Sequence, residues 1–126
     1  MKLFIDSANP KEIYKCVETG LVDGVTTNPT LIRASGFNPD VAYNEIIDMG
    51  ISDLSMEVVG DFDQMLKESD RLLNKYGYDI TTIKVPLTPD GLDVCRVLSQ
   101  KGVRVNVTLI FSAAQAILAA KAGAAY

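Results

Sequence analysis

The sequence is 126 residues long, 48% hydrophobic and 22% charged, which bounds it to one ordinary globular domain, 1–126, with room for a real core. Its net charge of −4 comes with no basic run or face dense enough to track a phosphate backbone, which argues against nucleic acid as a partner. Histidine is absent, and Cys16 and Cys95 lie far apart in helical patterns, so Ser/His/Asp and Cys/His nucleophiles, the commonest metal ligand and a disulfide framework all drop out.

Strand and helix signals then alternate along the chain. "KLFID" (2–6) reads as a strand; its apolar run is too short for a signal-peptide core, and no later run approaches a membrane span, so a cytoplasmic protein without a membrane partner is expected. A helix follows over 9–20, with Asn9 as cap, Pro10 at its first position and Gly20 past its end. "LVDGVTT" (21–27) is the second strand and leads into a short helical turn, 28–36. Asn38 caps a helix over 39–49. "SDLSMEVV" (52–59) is the third strand, and Asp61 caps a helix over 62–76. "DITTIKV" (79–85) is the fourth strand, stopped by Pro86, and Thr88 opens a helix that runs to Lys101. "VRVNVT" (103–108) is the fifth strand, followed by an Ala-rich helix over 112–122. Strands separated by helices in this way argue for βαβ units and a parallel sheet.

Side chains alternate between the two faces of a strand. Ile83 and Val85 oppose Thr82 and Lys84; Met56 and Val58 oppose Ser55 and Glu57; Val103, Val105 and Val107 oppose Arg104, Asn106 and Thr108; Thr26 and Asn28 oppose Val25. Each strand thus has an apolar face for helices and a polar residue near its C-terminal end: Asp6, Asn28, Glu57, Lys84 and Asn106. In a (β/α)₈ barrel the outward face packs under helices while catalytic groups come from the C-terminal ends of several strands. A doubly wound sheet would use Gly-rich turns, and the sequence has neither GxGxxG nor a Walker motif. The fold expected is therefore α/β, of the parallel TIM-barrel type.

Within such a barrel, the lysine of "TTIKVP" (81–86) has a reason to be there. An amine desolvated in that interior is in part neutral and can attack a carbonyl to form a Schiff base, an electron sink for carbon–carbon cleavage. Acids must shuttle the protons, and Asp6 and Glu57 are the available ones. Taken singly, each residue also has a plain structural explanation. Lys84 could be an edge-strand gatekeeper or a snorkelling side chain, Asp6 a cap for the next turn, Asn28 a turn former before Pro29, and Glu57 and Asn106 solvated.

"FIDSA", "GVTTNPTLI", "IKVPLTPDGL" and "NVTLIFSAAQA" together resemble the transaldolase family, in particular its small members and the related fructose 6-phosphate aldolases. The resemblance implies Lys84 as Schiff-base lysine, Asp6 as acid/base on the sugar's C4 hydroxyl, and Glu57, with a water held by Thr108, as proton relay. It further implies Asn28 and Asn106 as partners of substrate hydroxyls, with Thr27 and Thr108 beside them. The reaction implied is transfer of a dihydroxyacetone unit between sugar phosphates, as in the pentose phosphate pathway, with no metal or organic cofactor. A fructose 6-phosphate aldolase is the nearest chemical alternative; those enzymes carry glutamine where Glu57 stands here.

A complete barrel takes about 250 residues, whereas five strand–helix units are legible here and "GAAY" (123–126) falls where a sixth strand should begin. The barrel is therefore expected to be incomplete, without the family's phosphate-binding Ser and Arg. Its open edges are expected to make it a homo-oligomer, and a catalytically silent part-barrel that self-assembles is the other-class alternative to an enzyme.

Overall fold

Side-chain caps set every helix start in the computed structural model, which describes all 126 residues. Asn9, Asn28, Asn38, Asp61, Thr88 and Ser112 each stand at an N-cap in extended backbone and accept a hydrogen bond from an N–H of the first turn. Pro10, Pro29, Pro39 and Pro89 follow four of those caps, at a position where the missing N–H costs nothing. Asp61 goes further: it caps Gln64, whose side chain returns the bond to the Asp61 N–H at 3.0 Å.

The chain forms two compact units, Met1–Met56 and Glu57–Tyr126. The first holds β1 (Phe4–Asp6), α1 (Pro10–Val17), β2 (Gly24–Thr26), α2 (Pro29–Ser35), α3 (Pro39–Asp48) and all but the last residue of β3 (Leu54–Glu57). β1 pairs in parallel with β2 through Phe4 and Gly24, Ile5 and Val25, and Asp6 and Thr26; β2 pairs in parallel with β3 through Val25 and Leu54, and Thr26 and Ser55. Its core is Ile13, Val25, Ala42, Ile46, Leu54 and Met56, all fully buried.

The second unit holds the Glu57 end of β3, then α4 (Phe62–Tyr76), β4 (Thr81–Pro86), α5 (Pro89–Gln100), β5 (Val105–Thr108) and α6 (Ala113–Ala122). Met65, Leu72, Leu73, Ile83, Val85, Val94, Leu98 and Val105 form its core. β4 and β5 are parallel, with Lys84 opposite Asn106 and Pro86 opposite Thr108. The strand order follows the chain order, β1-β2-β3-β4-β5. A doubly wound sheet would reverse that order at a switch point, whereas a (β/α) barrel winds on without reversal. The expected fold class, an incomplete parallel barrel of TIM type, is what the chain adopts.

Strands are shorter than the hydrophobic pattern suggests because their ends bond elsewhere. Leu3 gives its N–H to the Asp23 carboxylate at 2.6 Å, and Val103 gives its N–H to the Leu98 carbonyl at the end of α5. Beyond α6 the chain turns back along β5. Tyr126 donates to the Val105 carbonyl at 3.4 Å and accepts from the Val107 N–H at 3.2 Å, the two bonds by which one residue grips a parallel neighbour. That is the place where the sequence reading expects a sixth strand to start. No helix is long and apolar enough to cross a membrane.

Candidate functional site

β4 runs Thr81–Pro86 with its first five residues buried. Ile83 and Val85 fill the helix-covered side, and alternation puts Thr82 and Lys84 on the other. Lys84 is 7% exposed. Its Nζ lies 3.5 Å from Oε2 of Glu57, whose side chain is itself only 12% exposed. Edge-strand and snorkelling explanations both fail for this lysine. β5 flanks β4 on one side, the Lys84 carbonyl accepts the Val58 N–H at 2.9 Å on the other, and the side chain is buried beside Glu57.

Taking two charges out of water costs several kcal/mol per ion before mutual attraction offsets it, so a pair of this kind contributes little to stability over two apolar residues of the same size. Folding alone gives no reason to keep it. Asn106 shares the face of Lys84 because the two are in register, and it is half-buried, not solvated. Thr108 stands on the same face opposite Pro86, and its carbonyl accepts the Leu87 N–H at 3.0 Å.

In the first unit the Asp6 carboxylate accepts a hydrogen bond from the Thr26 hydroxyl at 2.8 Å, across the β1–β2 register. Capping of the turn after β1 falls to Ser7, whose Oγ accepts the Asn9 N–H at 3.1 Å while its hydroxyl donates to Glu12. Asp6 is not used for it. Thr27 is fully buried and gives both its hydroxyl and its N–H to the Ser55 carbonyl, at 2.8 and 3.0 Å, tying β2 to β3. Asn28 spends its Oδ1 on the Leu31 N–H at the start of α2, which leaves its amide N–H₂ outside the cap.

Thr26, and not the Thr27 expected beside the substrate, is the threonine that meets Asp6. Alternation had already placed Thr26 on the polar face, and that signal, followed strictly, would have found it. Cys95, the buried thiol, has its pKa raised by burial and sits 3.7 Å from the Ala122 carbonyl between α5 and α6. A thiol held protonated in packing is no nucleophile.

Comparison of the sequence with known proteins gives the family. Residues 3–126 match the model of the Transaldolase/Fructose-6-phosphate aldolase family. Over its whole length the chain is 50% identical to a "Probable transaldolase" of Nitrosopumilus maritimus, covering 56% of that protein. It is 49% identical to one of Geobacter metallireducens and 50% identical to one of Thermodesulfovibrio yellowstonii, covering 58% of each. The chain thus spans little more than half the length of these relatives. With the family model matched across nearly the whole chain, this protein belongs to the transaldolase/fructose-6-phosphate aldolase family.

Proposed function

We propose that the protein is a Schiff-base transaldolase, transferring a dihydroxyacetone unit between sugar phosphates as in the pentose phosphate pathway. The observation that carries this reading is the enclosed pair of Lys84 and Glu57 at 3.5 Å. A carboxylate at that distance can take a proton from the ammonium and return it to a departing oxygen.

The steps follow from the chemistry of an amine and a ketose phosphate. Nζ of Lys84, its proton passed to Glu57, adds to the C2 carbonyl carbon. The former carbonyl oxygen is protonated and leaves as water, giving an iminium. Asp6 takes the proton of the C4 hydroxyl, the C3–C4 bond breaks, and its electron pair flows into the iminium to leave an enamine while the shortened aldose phosphate departs. The enamine carbon then attacks the aldehyde of the acceptor, and hydrolysis of the new iminium restores the amine. Asn28, Asn106 and Thr108 are assigned to substrate hydroxyls and to the relay water, with no metal or organic cofactor in the scheme; Thr27, its hydroxyl and N–H both given to the Ser55 carbonyl, ties β2 to β3 instead.

Fructose 6-phosphate aldolase is the nearest alternative, and Glu57 favours transfer because its charge suits a relay in which water must not free the donor early. Glu57→Gln in the full-length protein is therefore expected to raise the ratio of released dihydroxyacetone to transferred unit. An unchanged ratio would remove Glu57 as the discriminating residue.

Two features of the setting belong to the same reading. The free thiols Cys16 and Cys95 suit a reducing compartment, which supports a cytoplasmic location. Ile117 and Leu118 of α6 are 61% and 52% exposed, and apolar side chains presented in this way support self-association. Light scattering at low micromolar concentration is expected to return more than a monomer's mass, and a monomer would refute that assignment.

A further inference from the structure

Seven glycines make the left-handed turns of this chain, as suits a residue with no Cβ to clash. Leu109 is the exception, a leucine at φ 68°. Its Cβ makes that conformation unfavourable, and such a residue persists only when its surroundings fix it. Here they do. The Thr108 carbonyl before it accepts the Leu87 N–H at 3.0 Å, and two residues on, the Phe111 N–H donates to the Gln115 side chain at 2.7 Å as α6 begins.

Core packing does not account for a leucine at this place. Leu109 is 57% exposed and Phe111 is 82% exposed. Glycine would suit the backbone better, and the core would lose little. The position is the point of interest: Leu109 directly follows Thr108, which stands opposite Pro86, two residues beyond Lys84. A strained, exposed, apolar residue is thus held at the strand end that borders the lysine.

We propose that Leu109, backed by Phe111, determines the fate of the donor unit by forming an apolar wall over the carbon chain carried on Lys84. This rests on the Schiff-base reading above. Premature release needs water: the enamine takes a proton on carbon to become an iminium, water adds at C2, and the carbon–nitrogen bond breaks with its electron pair returning to Nζ, freeing dihydroxyacetone. An acceptor aldehyde brings its own electrophilic carbon and needs no water at that stage. Apolar side chains at the lysine's border hold water back while the enamine alone is bound; the hydrolysis that ends the transfer comes after the acceptor has added.

Leu109→Gly and Leu109→Asn test this, since both residues tolerate the left-handed region and neither presents an apolar side chain. In the full-length protein with fructose 6-phosphate, both variants are expected to keep a melting temperature at or above that of the parent. Both are also expected to give the same borohydride-trapped adduct at Lys84, and to release free dihydroxyacetone several-fold faster relative to transfer. An unchanged product ratio with trapping intact overturns the role of Leu109 and leaves the Schiff base standing. A marked fall in melting temperature overturns it too, by showing that the side chain is packed by another part of the protein or by a second copy. Absence of any adduct at Lys84 in the parent overturns the Schiff-base reading, and this inference with it.

Discussion

Lys84→Met is expected to abolish the adduct that borohydride traps with fructose 6-phosphate, while the protein stays folded. Methionine approximates the volume of the lysine stem and needs no solvation, so the packing on the face that Lys84 shares with Asn106 survives, and Ile83 and Val85 on the helix-covered side are untouched. What the variant loses is the partner of Glu57, now facing a nearly closed surrounding without its ammonium. Removing one member of a buried pair costs about 3–5 kcal/mol, and the 12% exposure of Glu57 brings the expected cost below that range.

The double variant Lys84→Met/Glu57→Gln removes both charges and should recover most of the lost stability without recovering the adduct. Intact mass after reduction reads the chemistry, and denaturant unfolding reads the cost. An adduct of undiminished yield in Lys84→Met, or one that maps to another lysine, would sink the assignment of the nucleophile.

Gly91→Ala is expected to destabilise the protein, against the ordinary sign for a helix. Replacing glycine by alanine inside a helix usually gains about 1 kcal/mol. Gly91 occupies the first turn of α5, where its N–H is capped by the Thr88 hydroxyl at 3.0 Å. A Cβ there would lie 2.0 Å from the Pro86 carbonyl oxygen and 3.2 Å from its carbon. Both are backbone atoms and cannot swing aside, so α5 must lift from the end of β4.

Overpacking of that kind costs about 1–3 kcal/mol, a fall of roughly 4–12 °C in melting temperature for a chain of this size. Because Pro86 pairs with Thr108 and lies two residues from Lys84, imine formation should slow as well. Asp93→Ala, on the exposed side of the same helix and paired only with exposed Arg96, serves as a control expected to change stability within about 0.5 kcal/mol. A Gly91→Ala protein that melts higher than the parent would show that the contact with Pro86 does not constrain this corner.

The features legible in the sequence are those that a few neighbouring residues decide among themselves. Asn9, Asn38, Asp61 and Thr88 announce helix starts because a cap bonds an N–H two or three residues on, and the proline after three of them needs only its own fixed φ. Period-2 alternation sorted Lys84, Glu57 and Asn106 onto polar faces before any pairing was known, because the pleat is a property of one strand. Repetition of that pattern at five strand ends gave the barrel type.

Contacts across strands were decided by tertiary structure, since they depend on register and on how closely helices approach the sheet. Nothing local says that the Thr26 hydroxyl meets Asp6 across the β1–β2 register, or that Thr27 is spent on the Ser55 carbonyl. The distance between Lys84 and Glu57, 27 residues apart in the chain, exists only once β3 and β4 lie side by side. Gly91 looks like a weak helix residue until the Pro86 carbonyl is found above it, and Leu109 looks like the end of an apolar run until its backbone is found left-handed. In both cases the chain's own preference is overruled by where the rest of the fold holds it, and a sequence carries no direct record of that force.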